Sequence, residues 1–116
     1  MLGKSERQVL IYMKIIEQEE VRKLLQPKDC IQLMAEALKG LESGEYAQPA
    51  RLITVMPNTA KFGFMPAYVG DYFGAKVISA FAPNMGTKYP SHIGYVMLFE
   101  SAHSTVAGMI EAGSIT

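Results

Sequence analysis

The amino-acid sequence predicts an α+β domain: an N-terminal strand and two helices packed on a mostly antiparallel sheet. Three observations predict it. A β-rich run lies near the start of the chain. Two helical patterns follow it before residue 45. Short apolar runs divided by turn residues fill the rest.

Residues 8–16 read Gln-Val-Leu-Ile-Tyr-Met-Lys-Ile-Ile, a first strand by its β-branched and aromatic content. Residues 1–7 before it read as a flexible leader. Residues 17–25 place Glu-Gln-Glu-Glu ahead of Val21, Leu24 and Leu25. Acidic side chains in a first turn suit the positive end of a helix dipole, so Glu19 and Glu20 mark a helix start rather than an acid–base pair. Pro27 restarts a helix, because proline fits the first helical position. Cys30, Ile31, Met34, Ala37, Leu38 and Leu41 follow at helical spacing as an amphipathic stripe, and Gly44 caps its end.

Beyond Gln48 the period changes. Residues 51–56, 61–69, 75–81, 93–99 and 105–110 are apolar runs. Pro57-Asn58-Thr59 turns the first, Gly70-Asp71-Tyr72-Phe73-Gly74 reads as a turn before the third, and residues 101–104 turn the fourth. Residues 82–90, with two prolines, an asparagine and a glycine, form a loop of the kind that carries function. The runs are apolar at nearly every position, so both sheet faces need cover, and a homodimer is the expected source of it.

Composition narrows the class. The chain has 116 residues, one domain's worth, and 49% of them are hydrophobic, enough for a core. Lys+Arg and Asp+Glu are both 11, and no basic cluster exists, which argues against nucleic acid. A single cysteine, Cys30, permits no internal disulfide and fits a reducing, cytoplasmic setting; within its helix it reads as a small apolar side chain. No apolar run reaches the ~18 residues of a membrane span. Zinc spacing, a phosphate-binding glycine loop and a nucleophile elbow are all missing, and no metal is expected.

Four polar residues stand out. Arg51 opens one apolar run and Lys76 sits inside another. A cation in such a place calls for an anion or a cavity, although an inward lysine also protects an edge strand. Placed on neighbouring strands, the two would clamp a carboxylate, Arg51 by a bidentate pair and Lys76 as a point charge. Ser91 and His92 stand between the 82–90 loop and the next run, where they would donate hydrogen bonds to a ligand or simply cap the turn. His103 reads as a solvated turn residue.

These residues fall in a pattern that resembles the ornithine cyclodeaminase/mu-crystallin family, from about Tyr12 to Thr116. The resemblance rests on Glu20-Val21, Gly44-Glu45, Gln48-Pro49-Ala50-Arg51, Phe64-Met65-Pro66-Ala67-Tyr68, Lys76-Val77, Pro90-Ser91-His92, Val96-Met97-Leu98-Phe99-Glu100 and Ile115-Thr116. It implies a substrate-binding and dimerisation domain spanning 1–116, followed in the family by a Rossmann domain that holds NAD or NADP. That Rossmann domain is expected to be absent from this chain, and tight cofactor binding by the chain alone is not expected. The resemblance implies that Arg51 and Lys76 contact a substrate carboxylate, that Lys76 transfers a proton, that Ser91 lies near the nicotinamide, and that His92 borders cofactor and ligand. One position departs from the cyclodeaminase pattern: Gly63 stands where that branch carries an acidic residue for the ornithine side-chain amine.

The expected function is the substrate-binding half of an NAD(P)-dependent cyclodeaminase-like lyase or ketimine reductase-like oxidoreductase of amino-acid metabolism, acting on an amino acid or cyclic imino acid. Two alternatives are a mu-crystallin-like small-ligand binder, with Phe62, Phe64, Tyr68 and Phe81 lining its cavity, and a non-catalytic dimeric orphan domain.

Overall fold

The computed structural model describes residues 13–113 and 115. The leader 1–7, the first five residues of the expected opening strand, and positions 114 and 116 lie outside the described residues. β1 (Lys14–Ile16) leads into α1 (Gln18–Leu24) and α2 (Pro27–Ser43). β2 (Leu52–Val55), β3 (Lys61–Tyr68), β4 (Tyr72–Ala80), β5 (His92–Glu100) and β6 (Val106–Glu111) follow, with a single 3-10 turn (Ala82–Asn84) after β4. Together the strands form one six-stranded sheet, in the order β1-β6-β5-β4-β3-β2. From β2 to β6 it is an antiparallel meander, and β1 adds a parallel edge beside β6. The fold is α+β, as the sequence predicts.

Local chemistry explains the helix ends. Glu19 and Glu20 occupy the first turn of α1, and Arg22 and Lys23 the last, so both ends complement the dipole. The Gln26 side-chain amide donates to the Lys23 carbonyl at 3.2 Å, closing α1 just before Pro27 opens α2. Gly44 ends α2 at φ 84°, a left-handed position that suits glycine. The chain then returns to the sheet: the Tyr46 N–H donates to the Gly40 carbonyl, and Ala47 pairs with Tyr68.

One expected turn is shorter than the sequence indicates. Only Val69, Gly70 and Asp71 separate β3 from β4; Tyr72, Phe73 and Gly74 already belong to β4. Phe73 is held in the ladder opposite Tyr68 and stacks on Phe99 with ring centroids 5.4 Å apart. Aromatic packing on both sides therefore extends the strand through residues whose local signal is a turn.

The core is thin. Among the described residues the buried apolar side chains are Val21, Ala60, Ala75 and Ala112, and no large side chain is fully enclosed. The helical stripe of α2, expected to lie against the sheet, is largely open to solvent: Ile31 is 73% exposed and Leu38 67%. What α2 turns inward is smaller, namely Gly40, with Cys30 and Ala37 half-buried. The accessible surface is 8978 Å², where a compact monomer of this mass has about 6,300 Å². The fold thus displays the uncovered apolar surface that the sequence anticipates.

The β5–β6 turn supplies a pH-sensitive contact. The Glu100 carboxylate accepts from the Thr105 hydroxyl at 2.7 Å, the Thr105 N–H at 3.0 Å and the His103 N–H at 2.9 Å. The Thr105 bonds, followed by that of the His103 amide, pull its pKa from 4.5 down to about 2. A depressed carboxylate stabilises the fold above its unfolded pKa, and that contribution fades as pH falls from about 4.5 towards 2. Glu100→Gln is expected to flatten this acid limb. The measurement is thermal melting from pH 6 to pH 2.5, and parallel wild-type and variant curves would contradict the assignment.

Candidate functional site

Strand register sorts the candidate residues onto two faces, because side chains alternate along every strand. Lys76 pairs with Met65 on β3 and Val96 on β5, and Val96 pairs with Ile110 on β6. Continuing the β2 register by one residue sets Arg51 opposite Met65, since Leu52 pairs with Phe64. Arg51 and Lys76 therefore share one rung of one face. They are not on neighbouring strands, as the sequence reading had them: β3 lies between, so their backbones stand about two strand spacings, ~10 Å, apart. Both side chains are long enough to meet a small ligand above Met65.

The surroundings of the two cations differ. Lys76 is half-buried, while Arg51 is exposed. Among the described residues neither forms an ion pair. Arg51 borders a hollow of about 350 Å³ with Gln48, Met65 and Pro66. Lys76 borders a recess of about 360 Å³ on its other side, with Ile78, His92, Ile93 and Gly94. His92 opens β5 opposite Ala80 and lies on the Lys76 face, two rungs along. Ser91 Oγ and His92 Nδ1 are 3.5 Å apart at the mouth of this recess. The neck of the preceding loop is pinned by the Phe81 N–H on the Ser91 carbonyl and by the Asn84 amide on the Pro90 carbonyl, at 2.7 and 3.0 Å.

Two residues of this face escape a reading of charges alone. Gly63 and Gly94 flank Ile78 on adjacent strands. A Cβ on either would lie 2.8 Å from the Ile78 side chain. The rung next to Lys76 is therefore an apolar step built of Ile53, Gly63, Ile78 and Gly94. The signal was present in the sequence as glycines inside strands, which mark a close approach.

The aromatic residues considered as a cavity lining lie elsewhere. Phe64 and Tyr68 occupy the opposite face of the sheet, where with Phe73, Val77, Met97 and Phe99 they border an apolar hollow of about 410 Å³. Phe62 is on that face too, opposite Ser79, and Phe81 follows the end of β4. Tyr95 joins this face to α1: its hydroxyl donates to Glu17 Oε2 at 2.9 Å, and that bond raises the phenol's pKa. His103 sits in the β5–β6 turn with its side chain 84% exposed. Among the described residues no three His, Cys, Asp or Glu side chains gather into a metal site, and no helix is long and apolar enough to cross a membrane.

The mixed sheet thus carries Arg51 and Lys76, without ion-pair partners among the described residues, on one face and an open apolar hollow on the other. A sequence profile of the ornithine cyclodeaminase/mu-crystallin family matches residues 12–116, and the chain belongs to that family. Solved structures share the fold. The Δ1-pyrroline-2-carboxylate reductase of Thermococcus litoralis, in complex with NADH and L-proline, superposes with a TM-score of 0.82 at 23% identity, over 89% of this chain and 33% of its own. The iminosuccinate reductase of Paracoccus denitrificans, in complex with NAD+, gives 0.83 at 15% identity, over 90% and 33%. An archaeal alanine dehydrogenase dimer with bound NAD gives 0.80 at 20% identity, over 86% and 31%. The chain thus spans about a third of the length of each. No curated protein sequence matches it.

Proposed function

We propose that this chain is the substrate-binding part of a nicotinamide-dependent enzyme that moves a hydride at a carbon bearing nitrogen and a carboxylate. The substrate is an amino acid or a cyclic imino acid. The observation that carries the reading is the shared rung of Arg51 and Lys76, two cations without ion-pair partners among the described residues, beside the apolar step of Ile53, Gly63, Ile78 and Gly94. A half-buried cation such as Lys76 calls for an anion, and a planar carboxylate fits the Arg51 fork. Lys76, half-buried beside the recess, holds or accepts the proton that accompanies hydride transfer. The apolar step formed by Ile53 and Ile78 excludes water from the reacting carbon.

A nicotinamide cofactor, bound by a domain of the family's Rossmann type, supplies the hydride. Ser91 and His92, two hydrogen-bonding side chains at the recess mouth, suit its carboxamide or ribose edge. His92 also reaches the substrate side of the recess that it shares with Lys76. The uncovered surface favours pairing with a second copy, so the working protein is at least a homodimer.

The chain alone is expected to be inactive, since among the described residues no glycine-rich strand–turn–helix for a dinucleotide occurs. Incubation with NAD(P)H and a panel of cyclic imines should leave the cofactor unoxidised. Oxidation that Lys76→Ala abolishes would overturn this expectation.

A further inference from the structure

We infer that the exposed seam of α2 is a docking surface for α2 of a second copy of this chain, in antiparallel orientation. Ile31, Met34, Leu38 and Leu41 recur at alternating steps of three and four, the spacing of a coiled-coil seam. They are 73, 56, 67 and 38% exposed, so nothing among the described residues covers them. The side that α2 turns towards its own chain is a different stripe, Cys30, Ala37 and Gly40. Gly40 lies against the Tyr46 ring, with no space for a side chain.

Charge selects the occupant and its direction. Lys28 and Glu42 lie on one flank of the seam at opposite ends of the helix: Glu42 follows Leu41, and Lys28 follows Pro27, which stands one four-residue step before Ile31. In an antiparallel pair the flanking positions of this type face one another, so Lys28 meets the partner's Glu42 and Glu42 the partner's Lys28. A parallel pair leaves both charges without an opposite. Ala35 falls between them near the two-fold axis, and its small side chain permits close approach. The other flank carries only the small Cys30 and Ala37. This contact is separate from any pairing of sheet faces and stands independently of the carboxylate site.

The test places Ala35→Cys in a chain that also carries Cys30→Ser, treated with a short bismaleimide cross-linker. Position 35 is exposed, so the fold tolerates the change. A covalent dimer is expected for Ala35→Cys and not for Glu36→Cys, one residue round the helix on the outer side. In sedimentation equilibrium, Lys28→Glu should weaken self-association about five- to tenfold, and adding Glu42→Lys should restore it. Cross-linking at 35 no stronger than at 36, or a double charge swap that weakens association further, overturns the inference. A chain that stays dimeric with no cross-link at 35 pairs through its sheet instead, which overturns the inference equally.

Discussion

Gly74→Ala is expected to destabilise the fold by on the order of 3 kcal/mol, or to prevent folding altogether. A Cβ at this position would overlap the Met97 carbonyl oxygen, with the Met97 carbonyl carbon 3.1 Å and the Leu98 Cα 3.2 Å away. These are backbone atoms of the paired strand, unable to rotate aside as a side chain would. They belong to the nine-residue β4–β5 ladder, beside the register shift at Leu98 and Phe99. Separating the strands there disturbs the rung on which Lys76 sits, two residues along β4. Gly44→Ala is the useful comparison. It meets no atoms, but its φ of 84° costs a side chain about 1 kcal/mol. Urea unfolding of the two variants should rank Gly74→Ala well below Gly44→Ala. Equal midpoints would show that β4 and β5 can part without loss.

Arg51→Ala is expected to remove on the order of 2–4 kcal/mol of binding to a small carboxylate, the value of a lost charged, bidentate contact. Arg51→Lys should recover only part of it, because an ammonium keeps the charge and loses the fork. The residue is exposed and precedes β2, so neither change threatens the ladder. Calorimetric titration with pyrrole-2-carboxylate, a planar and unreactive carboxylate, reads the loss. Unchanged affinity in Arg51→Ala would assign the anchor elsewhere.

Much of this arrangement was legible in the sequence, for identifiable reasons. Pro27 and Gly44 bracket α2 because each has a backbone preference that no distant contact overrides. Runs of β-branched residues mark the strands to within a few positions. The start of β4 was not legible: Gly70-Asp71 signals a turn, and only the stacking of Phe73 on Phe99 shows that the strand has begun. The α2 stripe was found, but its period cannot tell whether a sheet or another molecule covers it. Arg51, Ser91 and His92 stand out in the sequence as polar residues at the edges of apolar runs, and Lys76 as one inside a run. Whether they share a face depends on register, a long-range property. The meander places β3 between the two cations and turns the aromatic residues to the other side. Gly63 and Gly94 carried a usable signal, since a glycine inside a strand has little local justification.

The sheet face bearing Arg51 and Lys76 is proposed as the ligand-binding face. The most direct measurement is a ¹H–¹⁵N NMR titration of the chain with pyrrole-2-carboxylate. Shifts are expected to be confined to Arg51, Met65, Lys76, Ile78 and His92, and to be abolished in a Lys76→Ala, Arg51→Ala chain that retains its dispersed spectrum. Shifts centred instead on Phe64, Tyr68, Phe73 and Phe99, around the apolar hollow of the opposite face, would contradict the proposal.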